Sequence, residues 1–265
     1  IVTGSVATCG VIEADGNWDL TDIAASATEQ DGQLRLQGTK CFVLDADVAE
    51  IAIVSVNLSD GPGLVLLEAD EFRDNLVRET VIDETRRSFQ LTLDGIVVDK
   101  ARVLPGKPFQ AIENAALLML SAEMAGGLAG VLDVVVEYLK TRKQFDRYIG
   151  SYQALKHPTV DILIGMEGAR SHLYHAATIS DEGDARQVER ALRMAKAQGS
   201  EAFAFAGDRA IQFHGGFGFT WECDAQLYLR RALWCQYQFG DERHQRGLLE
   251  SLLLDDDMAR TGLAG

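Results

Sequence analysis

The chain is short of cysteine, proline and bases. Its 265 residues include 4 Cys and 4 Pro, and 25 Lys+Arg stand against 40 Asp+Glu. Cys9, Cys41, Cys223 and Cys235 show neither C-x-x-C nor metal-ligand spacing, which excludes a disulfide scaffold and leaves four reduced thiols of a cytoplasmic protein. A net charge of -15 excludes a nucleic-acid groove, because phosphate binding needs a basic footprint; an anionic ligand would need a locally basic site. No charged segment followed by an apolar run opens the chain. No G-x-S-x-G occurs and no G-x-G-x-x-G follows a strand, so hydrolase and nicotinamide-dependent dehydrogenase readings have no support. What remains, 47% hydrophobic and 25% charged, is ordinary globular composition.

Texture changes near residue 105. Residues 1–105 read as short runs with strand alternation or β-branched content, such as Gln33-Leu34-Arg35-Leu36 and Ile51-Ala52-Ile53-Val54-Ser55-Val56. Asp31-Gly32, Gln37-Gly38, Asp60-Gly61-Pro62-Gly63 and Asp94-Gly95 punctuate them with turn chemistry, so a compact β-barrel or sandwich is expected. Residues 106–265 read with helical period over about 110–142, 152–180 and 185–213, with a shorter fourth stretch over 224–254, which together predict a four-helix bundle. The fold class is therefore α+β, a β domain followed by a helical one. The stretch 115–136 is long and apolar enough for a membrane span, but Glu123, Asp133 and Gly126-Gly127 fit a buried bundle helix better. Asp255-Asp256-Asp257 reads as a solvated tail. The first 105 residues hold 19 acidic and 8 basic side chains and the rest 21 and 17, so a phosphate-bearing ligand should meet the helical half.

Three segments there invite chemistry. Arg142 lies in Tyr138-Leu139-Lys140-Thr141-Arg142-Lys143-Gln144-Phe145 at a helix end, with Lys140, Lys143 and Arg147 around it. A guanidinium fork suits phosphate oxygens, and equally a cation there offsets the helix dipole. Gln212-Phe213-His214-Gly215-Gly216-Phe217-Gly218 ends another helix; the glycines either let a ligand approach the backbone or simply cap the helix, and Gln212 could pair with a heterocycle edge. His172 and His175 share a helix face but lack a third ligand, so no metal site is expected.

Taken in order, Gly38-Thr39-Lys40, Arg142-Lys143-Gln144-Phe145, Ile149-Gly150-Ser151-Tyr152-Gln153-Ala154, Gln212 through Glu222, and Leu229-Arg230-Arg231-Ala232 resemble the acyl-CoA dehydrogenase family over nearly the whole chain. The resemblance implies that family's middle β domain and C-terminal four-helix domain, with its N-terminal helical domain absent, assembled as a tetramer with FAD between subunits. It places Arg142 at the FAD pyrophosphate with Gln144 and Phe145 beside it, and Gln212, Gly215 and Gly216 towards the adenine. Asp146 replaces the glycine usual after the Phe.

The flavin-receiving half departs from the pattern. Val11-Ile12-Glu13-Ala14 stands for the family's Thr-Glu-Pro, and Phe42-Val43-Leu44 for its Trp-Ile-Thr. Ile12 and Leu44 offer no side-chain hydrogen bond, which removes partners each worth about 1 kcal/mol net. The family's two alternative places for the catalytic Glu fall on Ala116 and Gly240, and Leu117 replaces an Arg. Glu123, Asp241 and Glu242 remain as displaced candidates; Glu123, two turns on, is about 10 Å away. The resemblance extends to degenerate subunits of actinobacterial α2β2 acyl-CoA dehydrogenases of steroid side-chain degradation. It implies a catalytic subunit as partner, an acyl-CoA substrate and an electron-transfer flavoprotein as acceptor. An autonomous dehydrogenase with a relocated base and a flavin-free structural subunit are the alternatives.

Overall fold

The structure, a computed structural model, describes residues 4–106, 108–180 and 183–261, with side chains through Leu254. The aspartates of the tail thus lie outside the described side chains. Two compact units, residues 1–113 and 114–265, divide the chain.

The first unit holds β1 (Ala7–Gly10), β2 (Ser26–Gln30), β3 (Gln33–Gln37), β4 (Thr39–Leu44), β5 (Ile51–Leu58), β6 (Gly61–Glu68), the short helix α1 (Ala69–Phe72), β7 (Leu76–Arg78), β8 (Ser88–Thr92) and β9 (Val97–Asp99). One sheet runs β1-β5-β2-β3-β9 with β6 also paired to β5, and a second runs β4-β8-β7. Asp31 and Gly32 both have positive φ (52° and 78°), the twist that a two-residue hairpin between β2 and β3 requires. In β3, Leu34 and Leu36 are buried and their neighbours exposed; the mostly apolar β5, interrupted by the buried Ser55, lies inside the sheet, paired with β1, β2 and β6.

The glycine of Gly38-Thr39-Lys40 is a structural necessity, since φ is +119° and a Cβ would lie 2.8 Å from Ala25. Lys40 is wholly buried, its ammonium 2.6 Å from a Glu13 carboxylate oxygen and 2.9 Å from Ser55 Oγ. Burial draws the Lys40 ammonium below its usual range despite Glu13. Burial alone would raise the Glu13 carboxyl, but hydrogen bonds from Lys40 and the amides of Ala25 and Ala24 bring it below its ordinary value.

The second unit is built on α2 (Phe109–Thr141), the hairpin β10 (Lys143–Gln144) and β11 (Arg147–Tyr148), α3 (Gln153–Ile179), α4 (Ala185–His214), α5 (Ala225–Tyr237) and α6 (Glu242–Thr261). Helix α4 is central, packed by α3, α5 and α6. By length and composition α2 could cross a membrane. It buries Leu117, Met124, Leu128, Val131, Val135 and Leu139 along one face, and Glu123 is ion-paired with Arg231. Gly127 lets α4 approach, because a Cβ there would meet the Phe203 ring at 2.3 Å.

The fourth expected helix is two helices. Phe239 and Gly240, with φ of 55° and 83°, turn the chain between α5 and α6. The apolar period runs through the break because both helices pack on α4, so periodicity alone conceals it.

Candidate functional site

Helix α2 ends beside the C-terminus of α4, and the cavity between them, about 830 Å³, is lined by Tyr138, Arg142, Gln144, Phe145, Ile149, Tyr152, Leu155, Gln212, Phe213, His214, Gly215, Gly216 and Phe217. All six residues singled out for cofactor contact, Arg142, Gln144, Phe145, Gln212, Gly215 and Gly216, thus meet in one place.

Local folding explains the convergence. The α2 chain leaves its helix with the Arg142 amide still donating to the Tyr138 carbonyl (2.9 Å), then turns through the hairpin, where Phe145 and Asp146 take φ of 54° and 63°. Asp146 occupies a left-handed position that glycine fills more freely. Phe145 stands 85% exposed at the tip. The hairpin is pinned by the Ile149 amide donating to the Arg142 carbonyl (2.9 Å) and by the Tyr152 hydroxyl donating to the Gln144 carbonyl (3.2 Å). Gly150 allows this closeness; a Cβ would lie 2.7 Å from the Leu139 carbonyl oxygen.

Two further lining residues, Tyr138 and His214, belong to the same two motifs but have no ligand role in them. Tyr138 and His214 stack with centroids 4.0 Å apart, and His214 Nδ1 lies 2.7 Å from the Ala210 carbonyl oxygen, which can only accept, so Nδ1 carries the proton. The signal was present in the spacing, since Tyr138 sits one turn before Arg142 on α2 and faces the same way.

The glycines after α4 play three different parts. Gly218 is demanded by packing, because a Cβ would lie 2.5 Å from the Ile211 carbonyl oxygen. Gly215 is demanded by its backbone, φ 60° and ψ -143°. Gly216 has neither reason: its φ is not positive and a Cβ would meet nothing within 4 Å. Its bare backbone opens on the cavity.

Among the described residues, no hydrogen bond or ion pair engages the side chains of Arg142, Gln144 or Gln212, whereas Arg87, Arg102, Arg193, Arg231 and Arg246 all hold carboxylates. Uncommitted donors, aromatic walls and an open backbone suit a ligand with both phosphate oxygens and a flat heterocycle.

The opposite end of α2 is closed. Leu117 is fully buried in a cluster with Ala176, Val188, Ala191, Leu192 and Ala195, against which Phe239 packs. The two places that the resemblance assigned to the base, on α2 at Ala116 and in the turn at Gly240, therefore adjoin one apolar cluster. Gly240 could not carry a carboxylate as the turn stands: φ is +83° and a Cβ would lie 2.2 Å from the His244 ring. The displaced candidates are engaged elsewhere. Glu123 pairs with Arg231, Asp241 accepts the amides of Arg243 (3.1 Å) and His244 (2.9 Å) at the start of α6, and Glu242 accepts from Gln236 Nε2 (2.9 Å).

In the β unit, Ile12 is buried and its carbonyl accepts from the Cys41 amide (2.8 Å). The Phe42 amide donates to Glu79 (3.0 Å), which also accepts from the Ser88 hydroxyl (2.7 Å), and the Leu44 carbonyl accepts from Thr8 Oγ1 (2.6 Å). These backbone groups at Ile12, Phe42 and Leu44 are engaged within the β unit. His172 and His175 lie on α3, and the described residues hold no group of three or more His, Cys, Asp or Glu arranged for a metal.

Residues 114–253 match the family model described as acyl-CoA dehydrogenase, C-terminal domain. The chain is 32% identical over 215 residues to acyl-CoA dehydrogenase IpdE2 of Mycolicibacterium smegmatis, covering 79% of this chain and 60% of that protein. It is 32% identical over 194 residues to IpdE2 of Mycobacterium tuberculosis, covering 72% and 53%. The chain thus spans little more than half the length of these curated relatives. Among solved structures, the Tcur3481-Tcur3483 steroid ACAD G363A variant superposes with a TM-score of 0.86 at 26% identity, covering 97% of this chain and 70% of that one.

Proposed function

Because the chain belongs to the acyl-CoA dehydrogenase family, whose cofactor is FAD, we propose that it is the non-catalytic subunit of an acyl-CoA dehydrogenase, lending one half of an FAD site held mainly by a catalytic partner. The observation that carries this reading is the contrast within one helical unit: Arg142, Gln144 and Gln212 face an aromatic cavity with no internal partner, while the cluster of Leu117 and Phe239 leaves no carboxylate where a base is needed.

FAD fits the cavity's chemistry and, when bound, supplies the hydride acceptor for α,β-dehydrogenation. Of this chain's own residues, Arg142 would neutralise phosphate charge. Gln144 and Gln212 orient the ligand by amide hydrogen bonds, Phe145 covers it from the hairpin tip, and Gly215 and Gly216 admit it to the backbone. Abstraction of the α-proton falls to the partner, since no free carboxylate stands at either family position here. The assembly is an α2β2 heterotetramer acting on an acyl-CoA, with an electron-transfer flavoprotein as acceptor. A steroid side-chain CoA ester as substrate is suggested by the likeness to the solved steroid ACAD.

The test is flavin stoichiometry and acyl-CoA oxidation for the chain alone and co-expressed with a catalytic acyl-CoA dehydrogenase subunit. One FAD per heterodimer with turnover only in the pair is expected; turnover by the chain alone overturns the reading. Arg142→Ala should cut the flavin retained by the pair at least tenfold, about 1.4 kcal/mol or more, without shifting the thermal midpoint of this chain. Unchanged flavin content would remove Arg142 from the site.

A further inference from the structure

We infer that Lys196 is a positioning residue that clamps the α5–α6 turn and keeps Phe239 seated in its apolar cluster. The inference goes beyond the flavin reading and does not depend on it, since every contact it uses lies within the helical unit.

Lys196 lies in the middle of α4 and is fully buried. Its ammonium donates to Ser200 Oγ (2.9 Å), the Gln236 carbonyl (3.0 Å) and the Gly240 carbonyl (2.9 Å), so three donors meet three acceptors and none is a carboxylate. The Gln236 carbonyl belongs to the last turn of α5, where helical carbonyls lack partners and the dipole is negative. The Gly240 carbonyl lies across the break, one residue before Asp241 caps α6. A single buried cation therefore ties the end of one helix to the start of the next. The turn needs tying, because Phe239 holds φ of +55°, a conformation that a bulky side chain keeps only when its surroundings impose it.

The groups around the amine decide how the clamp responds to pH. Cys235 approaches from α5, and Glu242 and Asp241 from the start of α6, all three favouring the charged amine. His244 packs beneath Gly240. Ser200 is uncharged, and its hydroxyl also faces Met124 Sδ of α2 (3.8 Å). Desolvation outweighs these carboxylates and draws Lys196 down to about 8. A neutral amine still has two N–H groups for the two carbonyls and a lone pair for the Ser200 hydroxyl, so all three contacts survive deprotonation.

The sign follows by linkage. A lysine released to water titrates near 10.4, so between about pH 8 and that value the open turn binds more protons than the closed one. The clamp is therefore indifferent to pH below about 8 and tightens above it.

Hydrogen exchange of the full chain in its native assembly tests this. After correction for intrinsic exchange, amides of residues 236–241 should slow by up to about tenfold per pH unit from about pH 8 to 10. Lys196→Met should speed their exchange at least tenfold at pH 7, leave β3 and β5 unchanged, and erase the pH step; Cys235→Ser should keep the step. Uniform acceleration throughout the helical unit in Lys196→Met, or loss of the step in Cys235→Ser, overturns the assignment. If Lys196→Met does not fold, the wild-type profile decides: a step supports the clamp and a flat profile refutes it.

Discussion

The two ends of α2 treat their polar groups in opposite ways. At Arg142 the chain leaves a guanidinium, two carboxamides and a bare glycine backbone open to a cavity. At Leu117, some 25 residues and about 37 Å earlier along the helix, the cluster is apolar and the neighbouring polar groups of the α5–α6 turn have internal partners. Folding alone has no use for unpaired donors around a cavity, whereas it readily explains a sealed cluster and a capped turn. The difference teaches where to look for ligand binding in this molecule and where to look only for structure.

The comparison can be broken most severely at the closed end. Leu117→Glu places a carboxylate in the cluster without a partner and should cost about 3 kcal/mol or more in urea unfolding, with no dehydrogenase activity gained. A variant as stable as the wild type would mean that the cluster is looser than its burial implies.

A pair of glycine substitutions sharpens the open end. Gly218→Ala forces a Cβ against the Ile211 carbonyl and should lose about 2 kcal/mol. Gly216→Ala should stay within about 0.5 kcal/mol of wild type in stability, as a helix-compatible surface change, yet lower flavin retention in the heteromeric complex. Equal losses of stability at the two positions would show that Gly216 serves the turn rather than a ligand.

Acid provides a test in the β unit. The Glu13 carboxyl is held below its ordinary value, so its contribution is present above the unfolded value near 4.3 and is lost as pH falls through the lower folded value. Glu13→Gln should accordingly flatten the fall in stability below about pH 4.3; an unchanged acid limb would show that other carboxylates control it. The smallest effect is expected at the hairpin, where Asp146→Gly should relieve a left-handed φ and raise stability by about 0.5 kcal/mol, measured as a small rise in the thermal midpoint.

Much of this was legible in the residues themselves. Asp31-Gly32 marked the β2–β3 hairpin, Gln33-Leu34-Arg35-Leu36 marked which face is buried, and the motifs around Arg142 and Gln212 named six of the residues that line the cavity. The break at Phe239 and Gly240 was hidden because two helices share one apolar period against α4. The burial of Lys40 and Lys196 was hidden as well, since a lysine in sequence carries no sign of the carbonyls or the carboxylate that will surround it.

What the sequence by itself determined is local: strand alternation, helical period, turn chemistry and the family's motifs are properties of residues a few positions apart. Only the tertiary structure decided which of three nearby glycines is required neither by its φ nor by packing, which carboxylates are already engaged, and that Lys196 spans the α5–α6 break. Those outcomes depend on the atoms that long-range packing brings within 3 Å, and such distances do not follow from spacing along the chain.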